Sequence, residues 1–312
     1  MDSKTPSSVA VILVNWNGYL LTQRCLLSLE KVSFDNFSVI VVDNGSEDGS
    51  FEKLKSEFSF PIFLKNFKNL GFTGGNNTGI VYALEKGFDH VLLLNNDTVV
   101  TPDFIDELLK IELMEKNVGM VQPLILFHES PNIIWSAGGK FHKVLGMSKT
   151  LGDRKAIHNY PLKVKELDWA TGCCILISSE VIKKVGSLES AFFAYFEDVD
   201  WSLRVREAGY QIYLAPDSII YHEGSASSKK PHDEGTLSAA VFYLHARNQL
   251  FLLRRHCKGI LVFTSWPFHL MKYFGWMSYF CLRGRIKKMK AVAKGIYHGI
   301  LLDHSQDEPL CP

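Results

Sequence analysis

The chain has 312 residues, 46% hydrophobic and 21% charged, with 34 Lys and Arg against 33 Asp and Glu. That balance excludes an intrinsically disordered chain, and the length suits one large domain with an extension. Six cysteines lack metal-ligand spacing and Cys173-Cys174 are adjacent, so we read them as reduced, mostly buried thiols of a cytoplasmic protein.

Residues 1–8 are short and polar, without the apolar core of a signal peptide. The first half then alternates in the manner of a doubly wound sheet. Residues 9–16 read as an apolar strand, 18–30 as a helix and 37–43 as a second strand, before the turn-rich stretch 44–50. A short strand near 61–64 leads to the glycine-rich segment 71–79, read as a loop ahead of a helix that runs to 86. Strand 90–95, helix 104–116 and strand 118–127 follow. From about Trp135 the alternation breaks, leaving strand 174–177, helix 180–185 and two short strands at 211–215 and 219–221. No Asp or Glu occurs between His245 and Leu302, where a basic, aromatic, helical tail begins. This shift places a domain boundary at 235/236, with a catalytic domain over 1–235 and a helical extension over 236–312.

Leu92-Leu93-Leu94-Asn95-Asn96-Asp97 is an apolar run that ends in a carboxylate. Open α/β sheets bind ligands beyond the carboxyl ends of such strands, where an acid can hold Mg²⁺ or Mn²⁺ together with phosphates. Taken alone, Asp97 more simply starts a turn or caps the helix near Pro102. Asp43, ending the second strand, suits ribose hydroxyls or a base N–H, or else an Asx-turn. The glycines of 71–79 would let backbone N–H groups approach a phosphate; the alternative is a plain flexible loop. Phe196-Glu197-Asp198-Val199-Asp200-Trp201 sets three acids behind a dense aromatic approach, which favours raised pKa values and general-base chemistry. On a helix, Glu197 and Asp200 would share a face with Arg204, so a salt-bridge network is the competing reading. His222, after a short strand, can complete the coordination of an ion held by Asp97.

Taken in order, residues 11–17, 41–46, 69–79, 94–97, 171–172 and 193–204 with His222 resemble an inverting family 2 glycosyltransferase of the GT-A fold. The resemblance runs from Val9 to Gly224 and is nearest to bacterial rhamnosyltransferases of polysaccharide synthesis. It implies a Rossmann-like mixed sheet flanked by helices. It also implies roles: Asn15 and Asn17 line the nucleotide pocket, and Asp43 meets the base and ribose. Asn69, Gly74, Asn76 and Asn96 lie along the nucleotide sugar. Asp97 and His222 hold a divalent cation, Thr171, Gly172 and Trp201 face the acceptor, and Asp198 or Glu197 is the base. Asn95 stands where the family often has its first acid, leaving one carboxylate fewer. The implied partners are a nucleotide-sugar donor such as dTDP-rhamnose or a UDP-sugar, and a saccharide or polyprenyl-diphosphate-linked acceptor.

Residues 259–282 are apolar and aromatic, but Pro267, His269 and Lys272 sit near their middle. A cation at a helix centre costs about 2.5–3.5 kcal/mol on insertion scales, so we expect an interfacial helix rather than a span. The cations that follow, from Arg283 to Lys294, would add attraction to anionic lipid. A peripheral position on the inner face of the cell membrane follows, with a packed subdomain or homodimer interface as the competing readings. No nucleic-acid recognition module is present. The rival functions are a sugar-phosphate nucleotidyltransferase, which would need a basic glycine-rich loop where Asn15-Trp16-Asn17-Gly18-Tyr19 stands, and a non-catalytic sugar-nucleotide-binding scaffold.

Overall fold

Strand β1 (Val9–Asn15) is apolar to its penultimate residue and alternates its side chains between two buried layers. In the computed structural model, which describes residues 7–223, Glu234 and 237–301, this strand occupies the middle of the main sheet. Met1–Pro6, Gly224 and the expected 235/236 boundary lie outside the described residues. The first half contains α1 (Tyr19–Leu29), β2 (Phe37–Asn44), α2 (Ser50–Glu57), β3 (Ile62–Asn66), α3 (Gly71–Glu85) and β4 (His90–Leu94). Then come β5 (Thr98–Val100), α4 (Phe104–Met114), β6 (Val118–Phe127), β7 (Ser130–Ser136), β8 (Gly139–His142), β9 (Met147–Thr150) and β10 (Lys165–Leu167). The remainder is β11 (Cys174–Ser178), α5 (Ser179–Val185), α6 (Glu197–Glu207), β12 (Gln211–His222), α7 (Ala239–His256), α8 (Val262–Leu282) and α9 (Ile286–Leu301).

The sheet runs β10-β12-β6-β11-β4-β1-β2-β3, with β5 added to β12 and β7 to β6. Strands β4, β1, β2 and β3 are mutually parallel, whereas β11 is antiparallel to both β4 and β6. Chain order reverses at β1, which has β2 on one side and β4 on the other. Such a switch point opens a crevice at the strands' carboxyl ends. The loops after β1, β2 and β4 therefore converge, and so do Asn15, Asp43 and Asp97.

Val9, Val11 and Leu13 pack against Cys25, Leu26 and Leu29 of α1 and Phe104 and Leu108 of α4. Ala10 and Ile12 point the other way, into a layer with Ile80 and Ala83 of α3 and Trp201 and Val205 of α6. Each such fully buried aliphatic side chain stabilises the fold by about 1.5–3 kcal/mol. A third cluster joins Phe192, Val199 and Leu203 to Leu250 and Leu253 of α7, Tyr273 of α8 and Val292 of α9. The C-terminal helices are thus bound to α6 through a core of their own.

Two expectations are corrected. Residues 71–79 are the first turns of α3, not a loop. A Cβ on Gly75 would stand 2.7 Å from Val14 Cγ1, and one on Gly79 2.5 Å from Ile12 Cγ2, so these glycines let helix and strand approach closely. The two short strands at 211–215 and 219–221 are one strand, β12, with a register irregularity between Ala215 and Ile219.

Candidate active site

On the donor side, Asn15 is fully buried, accepts a hydrogen bond from Thr22 Oγ1 (2.9 Å) and donates to Asp43 Oδ1 and Ser50 Oγ (both 2.9 Å). The other oxygen of the buried Asp43 accepts the Ser46 N–H at 3.1 Å. Asn17 is exposed and left-handed (φ 49°), and its Oδ1 accepts the Glu47 N–H at 2.9 Å. Asn15 and Asp43 therefore form the floor that fixes two loops, and Asn17 stitches the rims together. Asn96 donates to Thr22 Oγ1 at 2.8 Å, closing the β4 loop over the β1 loop.

Asn69 Oδ1 accepts from Asn44 Nδ2 (3.1 Å) and the Gly71 N–H (2.8 Å), while the Thr73 N–H goes to the Phe193 carbonyl (3.1 Å). Those α3 amides are thus engaged within the protein. Asn76 is buried and donates to Phe72 O (2.8 Å), and a Cβ on Gly74 would collide with Leu70 Cβ at 2.4 Å. The signal expected of a phosphate cradle is here one of tight packing.

Asp97 and His222 are brought together as expected, with Asp97 Oδ1 3.1 Å from His222 Nε2 and both side chains buried. The pairing of β5 with the end of β12 creates this contact. Burial opposes the His222 imidazolium, but Cys173 and Asp97 beside it prevail and raise its pKa to about 10. His222 Nδ1 is buried and lacks a hydrogen-bond partner among the described residues. No cluster of three or more His, Cys, Asp or Glu suited to a metal occurs among the described residues. Two protein ligands fit Mg²⁺ or Mn²⁺, which keep waters and substrate phosphates as further ligands, provided the cation displaces the proton that His222 shares with Asp97.

The bend before β11 links this pair to the acids of α6. The Cys173 carbonyl accepts the Asn95 N–H (2.8 Å), and the Gly172 N–H donates to Asp198 Oδ2 (2.9 Å). Thr171 is held from behind by its N–H to Gln122 Oε1 (2.7 Å). Gln122, a buried amide inside the apolar strand β6, was not singled out from the sequence, although a polar residue in such a strand is itself a signal.

The acids divide between the two readings. Asp200 is wholly buried and accepts from Arg204 Nε (2.9 Å), Arg255 Nε (2.7 Å) and His256 Nε2 (2.8 Å), a structural ion network. Burial acts against its charge, and His256, Arg204 and Arg255 more than offset that, leaving its pKa lowered. Glu197 has no such partners, its Oε2 buried without a hydrogen-bond partner among the described residues. Burial, then Asp198 and Asp200, push it well above the usual glutamate range. Asp198 is raised by burial too, but the Gly172 and Val199 N–H groups favour its carboxylate. Trp201, expected on the acceptor side, is corrected: it is fully buried, packs in the core and donates Nε1–H to Gly186 O at 2.8 Å. Full burial with a satisfied N–H is the favourable state for an indole.

Glu197 and Asp198 open on a cavity of about 340 Å³. Its walls include Trp135, Trp169, Tyr195 and His245, with Ser148 and Thr150 from the β8–β9 hairpin. Trp135 also meets His222 edge-on at 4.4 Å, so the cavity and the Asp97–His222 pair share a wall. His245 stacks on Tyr195 (4.7 Å), and burial with Lys272 nearby lowers its pKa to about 4, leaving a neutral ring. Flat aromatic surfaces beside hydroxyls suit a molecule with apolar faces and polar edges.

The backbone entering α6 is left-handed at Phe193 (φ 64°), Tyr195 (φ 73°) and Phe196 (φ 72°). For residues with a Cβ this costs on the order of 1–3 kcal/mol each and clusters at functional sites.

The sequence matches the family described as "Glycosyltransferase like family 2" over residues 6–249. The chain belongs to that family. This glycosyltransferase is 32% identical over 178 residues to the "Low-salt glycan biosynthesis hexosyltransferase Agl10" of Haloferax volcanii, covering 55% of this chain and about half (54%) of the relative. It is 26% identical to the "N-acetylglucosaminyl-diphospho-decaprenol L-rhamnosyltransferase" of Mycobacterium tuberculosis, covering 79% and 84% of the two chains. With the "dTDP-rhamnosyl transferase RfbF" of Shigella flexneri the identity is 24%, over 82% and 83%. Among solved structures, the mannosyltransferase PcManGT of Pyrobaculum calidifontis, in complex with GDP-Man and Mn²⁺, shares its fold at TM-score 0.58 and 13% identity, over 96% and 90% of the chains. GalNAc-T7 with UDP, GalNAc and Mn²⁺ aligns at TM-score 0.62 and 15% identity, over 80% of this glycosyltransferase and 48% of that chain. The architecture is the GT-A fold with C-terminal helices added.

Proposed function

We propose that this glycosyltransferase moves a sugar, with inversion, from a nucleoside-diphosphate sugar to a hydroxyl of a saccharide or lipid-diphosphate-linked acceptor in cell-surface polysaccharide synthesis. One observation carries the reading. Asp198, whose oxygens accept the Gly172 and Val199 N–H groups, borders an aromatic-walled cavity that shares its Trp135 wall with the Asp97–His222 pair. Asp198 takes the proton of the attacking hydroxyl, a contribution of typically ~10²–10⁴-fold. Glu197, without a donor on Oε2, stays protonated beside it and keeps the two acids from repelling one another. No covalent enzyme intermediate is needed, so the sugar inverts in one displacement. Asn15 and Asp43 shape the donor crevice, and Trp135, Trp169 and Tyr195 receive the acceptor. Asp97 and His222 would hold a divalent cation, Mg²⁺ or Mn²⁺, which when bound neutralises charge on the leaving diphosphate. The rhamnosyltransferase relatives make dTDP-rhamnose the first donor to try.

The lipid-linked acceptor brings in the membrane surface. No described helix is long and apolar enough to cross a bilayer. Yet α8 leaves Phe263 (79% exposed), Met271 (69%), Phe274 (58%) and Leu282 (88%) along one side, followed by Arg283, Arg285 and Lys287. The opposite side of α8 holds the turn of the β8–β9 hairpin, His269 Nε2 donating to Leu145 O (3.0 Å) and Gly146 O (3.2 Å). We therefore place α8 on an anionic bilayer, with the hairpin carrying the cavity wall beside it.

The test is a thermal-shift panel of UDP-, dTDP- and GDP-sugars with and without Mn²⁺, followed by transfer to a GlcNAc-diphosphate lipid and assignment of the anomer formed. Stabilisation by one donor class and an inverted product are expected. A panel in which no nucleotide sugar raises the melting temperature and no product forms would sink the reading.

A further inference from the structure

The segment that delivers Glu197 and Asp198 to the cavity is held from outside the sheet. Arg247 and Asn248, adjacent on α7, are 2% and 0% exposed. Arg247 Nη2 donates to Ala191 O (2.7 Å) and Phe192 O (2.8 Å). Asn248 Nδ2 lies 2.8 Å from Phe192 O, 2.7 Å from Ala194 O and 2.9 Å from Tyr195 O. Arg247 Nε donates to Asn248 Oδ1 at 2.7 Å, which fixes the amide with its nitrogen toward the carbonyls. Between Phe192 and Phe196 the backbone is left-handed three times, and a row of carbonyl oxygens is thereby turned to one side. Such a row is satisfied by a face that only donates, and the Arg–Asn pair is that face. On the other flank, Phe193 O accepts the Thr73 N–H and hydroxyl from α3.

We propose that Arg247 and Asn248 are positioning residues for the acid pair. By fixing the carbonyls of residues 191–195 they set the entry angle of α6, and with it the direction in which Glu197 and Asp198 face the cavity. The functional unit therefore includes α7, in agreement with a family match that ends at residue 249, inside this helix. The proposal rests on the reading of Asp198 and Glu197 as the site's acids, and its structural half can be tested apart from that reading.

Asn248→Asp keeps the shape of the side chain and sets a carboxylate oxygen against three carbonyls. Hydrogen–deuterium exchange of residues 190–198 should accelerate by about 10-fold or more, while amides of β1 and β4 keep their protection. With dTDP-rhamnose and a GlcNAc-diphosphate lipid, kcat should fall on the order of 10²-fold, the effect of a displacement of about 1 Å. Donor affinity should stay within about twofold, and the pH–rate profile should shift, because the surroundings of Asp198 change. A purely structural role would lower the melting temperature yet leave the kcat and pH profile of the folded fraction unchanged, and would overturn the proposal. So would native exchange rates over 190–198. If Asn248→Asp does not fold, Arg247→Lys, which keeps the charge but loses the fork, is read by the same criteria. If the native chain transfers no sugar from any donor in the panel, the functional reading fails, and unaltered exchange in either variant still refutes the clamp.

Discussion

Glu197 and Asp200, one turn apart on α6, stand in opposite electrostatic surroundings. Asp200 has two guanidinium groups and the His256 ring within 2.9 Å and its pKa is lowered, while Glu197 has a buried oxygen with no hydrogen-bond partner among the described residues and its pKa is raised. One acid is thus held in an ion network while the other lines the cavity, and replacing each should give a different kind of defect.

Burial, then Asp198 and Asp200, raise the Glu197 pKa well above the ordinary 4.5. A carboxyl raised on folding contributes stability that is present below the unfolded value and lost as pH rises through the folded one. Glu197→Gln removes that loss, so the variant should melt above the native protein at pH 8, with the gap closing toward pH 4. It should keep substantial turnover, whereas Asp198→Asn should lose ~10²–10⁴-fold. Equal losses from both would reject Asp198 as the base; melting curves against pH and initial rates decide.

Asp200→Asn should behave as a stability variant. Removing one partner of a buried ion pair costs about 3–5 kcal/mol, because the cations left behind keep their desolvation penalty. Urea melts should show that loss at neutral pH. Because the Asp200 pKa is lowered on folding, its contribution is present above the ordinary aspartate value and fades as pH falls through the folded one. A variant as stable as the native chain would contradict the network.

Gly79→Ala tests whether the glycines of α3 serve packing or phosphate. The added Cβ meets Ile12 Cγ2 at 2.5 Å, on the central strand. Overpacking of this kind costs about 1–3 kcal/mol, and the better helix propensity of Ala returns at most about 1. Denaturant melts should therefore show a net loss of stability, with nucleotide-sugar affinity unchanged in calorimetry. Lost affinity at native stability would restore the phosphate reading.

Docking of α8 on a bilayer predicts co-sedimentation with phosphatidylglycerol vesicles, little with phosphatidylcholine alone, and release by high salt. Phe263→Asp combined with Phe274→Asp should abolish sedimentation without lowering the melting temperature, since both rings are exposed. If light scattering instead shows a dimer without vesicles that the same substitutions dissolve, α8 is a subunit interface.

Much of this protein was legible from local pattern. The apolar run of β1, the acid at the end of β4 and the Glu197-Asp198 pair each announce themselves within a few residues, because period and residue type alone carry the signal. The meeting of Asp97 with His222 was open to the chemistry of the two residue types, and the family resemblance strengthened it. What stayed hidden depends on distant partners. Gly75 and Gly79 read as loop-forming until Val14 and Ile12 are seen against them. Trp201 looked available to an acceptor because one-dimensional neighbours cannot tell which side of a helix meets the sheet. Trp135, Trp169 and His245 lie on three separate segments, and only the sheet order and the packing of α7 bring them around one cavity.

The Arg247–Asn248 contacts also bear on how such enzymes diversify. A tail carried on as a separate module could be exchanged between relatives, leaving the sheet and its acids intact. Here the carbonyls of Phe192, Ala194 and Tyr195 find donors on α7, so the exchange would have to bring a matching donor pair in register. Inheritance of the acid loop and of the helix behind it is thereby coupled, and recombination between them is filtered by five hydrogen bonds.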